Sequence, residues 1–169
     1  SVRNITAHLL EKGRTLPGFM GDIGYAQSNR ERYEGFCQAL MDAGKTPNPS
    51  LCLTTPLGID SYREEIDSFL SSLSRMPDAF VCASDYVACI LMQLLEKRGL
   101  RVPEDVAVSG FDNNIEDLLA ENLTTVQVFN EELGSRLALQ ILYRIKYPHT
   151  PHEVTYLESK VLYRASTGD

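Results

Sequence analysis

No stretch of this chain is basic enough to hold a nucleic acid. Asp and Glu outnumber Lys and Arg by 23 to 16, a formal net charge of −7, whereas a free-standing phosphate-binding surface needs clustered cations. The densest basic segment, Arg98–Arg101, reads as a helix end, where cations are favoured in any case. Cys37, Cys52, Cys82 and Cys89 include no C-x-x-C pair, so the usual zinc-ligand spacing is absent. All four fall in helical or apolar runs, as reduced core residues of a cytoplasmic protein would. No apolar run reaches transmembrane length and no signal-peptide pattern opens the chain, so no membrane partner is expected. Catalytic patterns are missing too. There is no G-x-S-x-G elbow, H-E-x-x-H, phosphate-binding loop or G-x-G-x-x-G after a strand. His8, His149 and His152 lie away from the expected strand ends. Neither enzymatic activity nor a metal or cofactor is expected.

What the chain does have is a strand–helix alternation along nearly its whole length. Ser1–Lys12 reads as a helix ended by Gly13, Thr15–Gly21 as a strand, and Ser28–Ala43 as an amphipathic helix stopped by Gly44. Leu51–Thr54 reads as a strand, Asp60–Leu73 as a helix, and Ala79–Ala83 as a strand. Helix Tyr86–Arg98, with Gly99 as its left-handed stop, leads to strand Val106–Ser109. Strand Leu123–Phe129, helix Glu132–Lys146 and two short strands, Val154–Leu157 and Lys160–Tyr163, complete the pattern. Repeated βα units predict an α/β fold, an open parallel sheet with right-handed crossovers and helices on both faces.

Asp78–Asn114 carries most of the functional information. Its two apolar strands end on Ser84-Asp85 and on Phe111-Asp112-Asn113, and ligands of open parallel sheets bind outside the carboxyl ends of the strands. Asp112 can accept hydrogen bonds from vicinal hydroxyls, or it can cap a helix over Asn114–Leu119. Asp85 stands where a helix cap or a first-turn acid belongs, and Ser84, nearer the strand end, is the better placed of the two to face a ligand. Arg32, early in its helix with Ser28 one turn before it, would point to the same edge, where a planar fork can hold hydroxyls or a carboxylate. The alternative is an exposed Arg32 paired with Glu31 or Glu34. Gly35, in mid-helix, marks a close packing contact. Helix Tyr86–Glu96 is apolar on most of its circumference, so it is buried on two sides. One side is the sheet; the other is either a subunit interface through Val87, Ile90, Leu91 and Leu94 or a cover from the same chain.

Taken together, S-x-x-x-R-Y-E-G-F-x-x-A-L (Ser28–Leu40), D-A-F-V-C-A-S-D, G-L-R-V-P-E-D-V-A-V-S-G-F-D-N and L-T-T-V-Q (Leu123–Gln127) resemble the ligand-binding region of the LacI–GalR transcriptional repressors. The match runs in order over essentially the whole chain. The resemblance implies a bilobed, periplasmic-binding-protein-like fold with a small-molecule effector between the lobes, usually a sugar and sometimes a purine or phosphosugar. By motif position it implies effector contacts at Arg32 and Asp112, with Ser84 where the family often has Asn and Ser28 as a further contact. Asp60 stands at a site often filled by a stacking aromatic, which puts that contact in doubt. Val128 replaces a position polar in some members, and Asn122 replaces the usual proline before L-T-T.

The resemblance further implies a homodimer that reaches operator DNA through an N-terminal domain upstream of this segment. On this reading 1–122 and 150–165 form the second lobe of the effector domain, and 123–149 is the crossover to the first. The apolar face of Glu132–Lys146 (Leu133, Leu137, Ile141, Ile145) would then pack onto this lobe in a non-standard way or exchange between chains. The competing reading is a transport-linked sugar receptor of the same fold.

Overall fold

The structure, a computed structural model, describes residues 1–58, 60–114 and 121–169. Four apolar runs pair as parallel strands: β1 (Pro17–Met20), β2 (Cys52–Leu53), β3 (Ala79–Cys82) and β4 (Ala107–Ser109), in the order β2-β1-β3-β4. β1 and β3 align from Pro17 opposite Ala79 to Met20 opposite Cys82. Pro17, which has no N–H for the ladder, sits at the first position of its strand, where that loss is tolerated. All residues of β1, β3 and β4 are buried, as strands covered on both faces require.

Pairing continues past β4. The N–H groups of Gly110 and Asp112 donate to the carbonyls of Thr124 and Val126, which lays β5 (Thr125–Gln127) parallel to the end of β4. The strand order is therefore 2-1-3-4-5, with its reversal between β1 and β3, where ligands of such sheets bind. β5 also pairs antiparallel with β6 (Lys160–Leu162), Thr125 opposite Leu162. The strand expected at Val154–Leu157 does not form; among the described residues no pairing partner reaches that segment.

Among the described residues, two helices cover each face. α1 (Val2–Glu11) and α2 (Gln27–Asp42) enclose Phe19, Ala79 and Val81, with Ile5, Leu9, Phe36 and Leu40 filling the layer. α3 (Tyr62–Ser72) and α4 (Asp85–Lys97) enclose Met20, Phe80 and Cys82 from the opposite side. α1 comes close enough to α2 that a Cβ on Gly35 would stand 3.3 Å from the Arg3 nitrogen, the close contact expected of that glycine.

Cover from the same chain, one of the two readings of α4, accounts for its apolar circumference. Val87, Ile90, Leu91 and Leu94 are all buried within the chain, because Ile66, Phe69, Leu70 and Leu73 cover the side that the sheet leaves open. The apolarity of α4 reflects two covers from its own chain.

α5 (Asn130–Lys146) behaves differently. It has no buried residue, and Leu137, Ile141 and Ile145 are 57%, 52% and 73% exposed. Its side chains bond to the following segment, Gln140 to Glu153 and Arg144 to the carbonyls of Thr150 and Pro151. The expectation that it folds back onto this lobe is not met, since nothing in the described residues buries its apolar face. Among the described residues, no helix is long and apolar enough to cross a membrane.

Candidate functional site

Parallel strands direct their carboxyl ends to one edge, and the loop after each strand brings polar groups there. After β1, the Asp22 carboxylate accepts the N–H groups of Gly24 and Tyr25 at 2.7 and 3.1 Å, shaping the turn into α2. The Asp22 carbonyl accepts Asn29 Nδ2 at 2.9 Å. One turn later α2 delivers Arg32 over the edge. Arg32 Nη1 donates to the Ala83 carbonyl at 2.5 Å, just past β3, and to Asn29 Oδ1 at 3.2 Å. Its Nη2 reaches Asp112 Oδ1 at 3.4 Å, just past β4, and its guanidinium lies 3.6 Å from the centre of the Phe111 ring. Arg32 is thus engaged with the ends of two strands, β3 and β4, rather than with Glu31 or Glu34.

Burial lowers the pKa of Arg32, while the charges of Asp112 and Asp85 oppose that shift. Burial also raises the pKa of Asp112; Arg32 pulls it down and Asp85 pushes it further up. Asp112 nevertheless keeps 30% of its side chain exposed, and Arg32 is its sole side-chain partner among the described residues. Its backbone is unusual: Asp112 and Asn113 adopt φ of 111° and 50°, a region that residues with a Cβ rarely occupy. The alternative role of Asp112, capping a helix over Asn114–Leu119, falls on 115–119, outside the described residues.

Of the two places open to Asp85, the structure gives it the first turn of α4 and leaves the cap to Ser84. Ser84 is the cap of α4: its Oγ accepts the Val87 N–H at 3.3 Å. Asp85 lies inside the first turn, only 2% exposed. Its carboxylate accepts the Thr125 hydroxyl at 2.5 Å and the N–H groups of Asn113 and Asn114. Burial raises its pKa, while those bonds and the Arg164 charge work against the rise. A Ser84→Ala substitution should lower stability by about 1 kcal/mol, the usual cost of a lost cap, as measured by chemical denaturation.

Ser28 is exposed and lines a shallow depression with Arg32, Phe111 and Ser159. The structure therefore brings Ser28 to Arg32, and Arg32 to Asp112. Asp60 is exposed and makes no hydrogen bond or ion pair with that group among the described residues. Residue-by-residue reading missed Asn29, which braces Arg32, and Phe111, which lies beneath it. It also missed Gln127 and Arg164, which bond Asn113 at 2.5 and 2.9 Å. These four are far apart in sequence and carry no local motif beyond Phe111 preceding Asp112.

The fold is a doubly wound parallel lobe, with an arginine and an aspartate facing each other at the reversal of strand order, the place where ligands of such sheets bind. The chain belongs to the periplasmic binding protein-like domain family, which it matches over residues 6–167. It is 30% identical over 163 residues to the HTH-type transcriptional repressor PurR of Aliivibrio fischeri, covering 95% of this chain and 48% of that protein. It is 35% identical over 130 residues to the HTH-type transcriptional regulator DegA of Bacillus subtilis, covering 76% of this chain and 38% of that one. The chain spans about half the length of the curated relatives it matches.

Among solved structures, the transcriptional regulator CelR in complex with cellobiose superposes with a TM-score of 0.85 at 28% identity, over 98% of this chain and 50% of that one. A LacI-type transcription regulator from Bifidobacterium animalis subsp. lactis gives 0.77 at 26% identity, over 98% and 63%. These likenesses bear out the fold class and the LacI–GalR resemblance read from the sequence.

Proposed function

We propose that the chain is the effector-sensing lobe of a LacI-type transcriptional regulator, and that Arg32 and Asp112 hold a polyhydroxylated small molecule, a sugar or sugar derivative, against a second lobe of the intact protein. The observation that carries this reading is the meeting of Arg32 and Asp112, 80 positions apart in sequence, at the reversal of strand order. A carboxylate accepts two adjacent hydroxyls and a guanidinium offers two parallel donors. Ser28, which lines the same depression as Arg32, and Ser84, by its motif position, would add further polar contacts. That the superposed CelR was solved with cellobiose supports a sugar.

In the intact regulator, residues 123–149 would cross to the first lobe and α5 would bury its apolar face there. A homodimer of this cytoplasmic protein would meet operator DNA through its N-terminal domain. The effector acts through unequal affinity for the open and closed arrangements of the lobes. The relatives are transcriptional regulators, which favours this reading over a transport receptor.

Thermal unfolding of the intact regulator, followed by circular dichroism against sugars, phosphosugars and purines, tests it. A ligand of the folded state raises the midpoint; no rise with any member of the panel removes the sensing role.

The raised pKa of Asp112 also sets a pH dependence. Hydroxyl donors favour the ionised carboxylate, so binding lowers that pKa and releases protons. Affinity should be full above the pKa of unliganded Asp112 and fall as pH drops through it, starting at a higher pH than an ordinary aspartate would set. Calorimetric titration in neutral and mildly acidic buffers reads both the loss and the released protons.

A further inference from the structure

We propose that Asp85 is a positioning residue for effector binding: it anchors the left-handed Asp112–Asn113 turn to strand β5, so that the effector site and the start of the crossover segment form one hydrogen-bonded unit. This rests on the reading of Asp112 as an effector contact and assigns a role to a carboxylate that the ligand does not touch.

Asp85 is 2% exposed, and a carboxylate is seldom kept so deep without work to do. It joins three elements. Its own N–H donates to the Phe111 carbonyl at 2.8 Å, fixing the residue before Asp112. The N–H groups of Asn113 and Asn114 converge on its carboxylate, so it receives the backbone immediately after Asp112. The Thr125 hydroxyl donates to its Oδ1 at 2.5 Å from β5, the strand that leads through 128–129 into α5. Gly110 makes room for this arrangement, since a Cβ there would collide with Asp85 Oδ1.

The turn itself is held in a conformation that costs free energy on its own. Two consecutive residues with a Cβ have positive φ, and only surrounding bonds can keep them there. Asn113 supplies the second set of bonds: its Nδ2 donates to Gln127 Oε1 on β5 at 2.5 Å, and its Oδ1 accepts Arg164 Nη2 at 2.9 Å. Arg164 Nη1 in turn donates to the Leu123 carbonyl at 3.0 Å. A shift of β5 relative to β4 therefore disturbs the presentation of Asp112, and a ligand on Asp112 resists such a shift.

The test uses the intact regulator with Asp85→Ala, Asp85→Asn and Thr125→Val. D-ribose, D-glucose, D-galactose and cellobiose are titrated calorimetrically, and NMR couplings report φ at 112 and 113 in the unliganded protein. Asp85→Ala should lose the positive φ values and weaken the tightest-binding sugar by at least about tenfold, the scale of a lost charge-assisted bond. Asp85→Asn keeps an acceptor for the backbone donors, so it should preserve the turn and remain within about threefold of the parent in affinity.

Retention of the turn and full affinity in Asp85→Ala overturns the proposal. Equal loss of binding in Asp85→Ala and Asp85→Asn with the turn intact overturns it too. Should Asp85→Ala fail to fold, Thr125→Val decides: weakened affinity supports the anchor and unchanged affinity overturns it. If none of the four sugars binds the parent, the sugar reading fails on its own, and the couplings at 112 and 113 still judge the anchor.

Discussion

Asp112→Ala should weaken effector binding by at least about a hundredfold, the largest functional loss expected from any single substitution in this chain. Two hydroxyl bonds to an ionised acceptor contribute about 1.5–3 kcal/mol each when removed, and about 1.4 kcal/mol is a factor of ten. Asp112→Asn, which keeps one acceptor oxygen and loses the charge, should fall between parent and alanine. Stability should move the other way. Asp112 carries a Cβ at φ of 111°, a conformation that costs on the order of 1–3 kcal/mol and that glycine adopts freely. Asp112→Gly should therefore be at least as stable as Asp112→Ala while binding no better. Calorimetric titration and thermal unfolding of the three variants separate the two effects. An alanine variant with undiminished affinity would leave Asp112 a purely structural residue.

Phe80→Ala should cost about 3–5 kcal/mol, the range for deleting a buried aromatic ring, out of the roughly 5–15 kcal/mol that stabilises a domain. Phe80 is fully buried at the centre of β3. It packs directly on the backbone of β1, because Gly18 has no Cβ to hold it off. The hole cannot be refilled from across the strand: a Cβ on Gly18 would also collide with the Leu51 carbonyl oxygen. Gly18→Ala should thus destabilise the parent and fail to rescue Phe80→Ala. Urea denaturation should show the midpoint falling with an unchanged slope; a slope change would mean that the substitution alters the unfolded or native ensemble instead.

Much of this architecture was legible because local signals and tertiary demand agree. The glycines at 13, 44 and 99 stop α1, α2 and the segment after α4 with φ of 88°, 70° and 72°, as their positions after periodic runs imply. The strand ends bearing Ser84 and Asp112 could be placed at one edge because parallel topology aligns carboxyl ends. What could not be read was orientation within a turn of helix. Ser84 and Asp85 are adjacent and both suit a cap; only the arrival of Thr125 from β5 draws Asp85 inward and leaves the cap to Ser84. The cover on α4 was illegible for a related reason. A helix apolar all round says that two surfaces bury it, not whose they are, and α3 supplies the second. Val154–Leu157 has strand-forming residues but, among the described residues, no neighbour to pair with, a fact of topology rather than of composition.

The apolar band along α5 has a consequence for handling this chain in solution. Leu133, Leu137, Leu139, Ile141, Leu142 and Ile145 are all about half exposed or more, a surface of the kind that solvatochromic dyes adsorb to and that makes soluble domains self-associate. The folded chain by itself should already light up anilinonaphthalene sulfonate, a behaviour usually reserved for partly melted proteins. With no tryptophan and eight tyrosines, its own fluorescence is weak. Dye brightness would report the bare helix rather than loss of structure, and a partner that covers α5 would darken the dye without changing the fold beneath it.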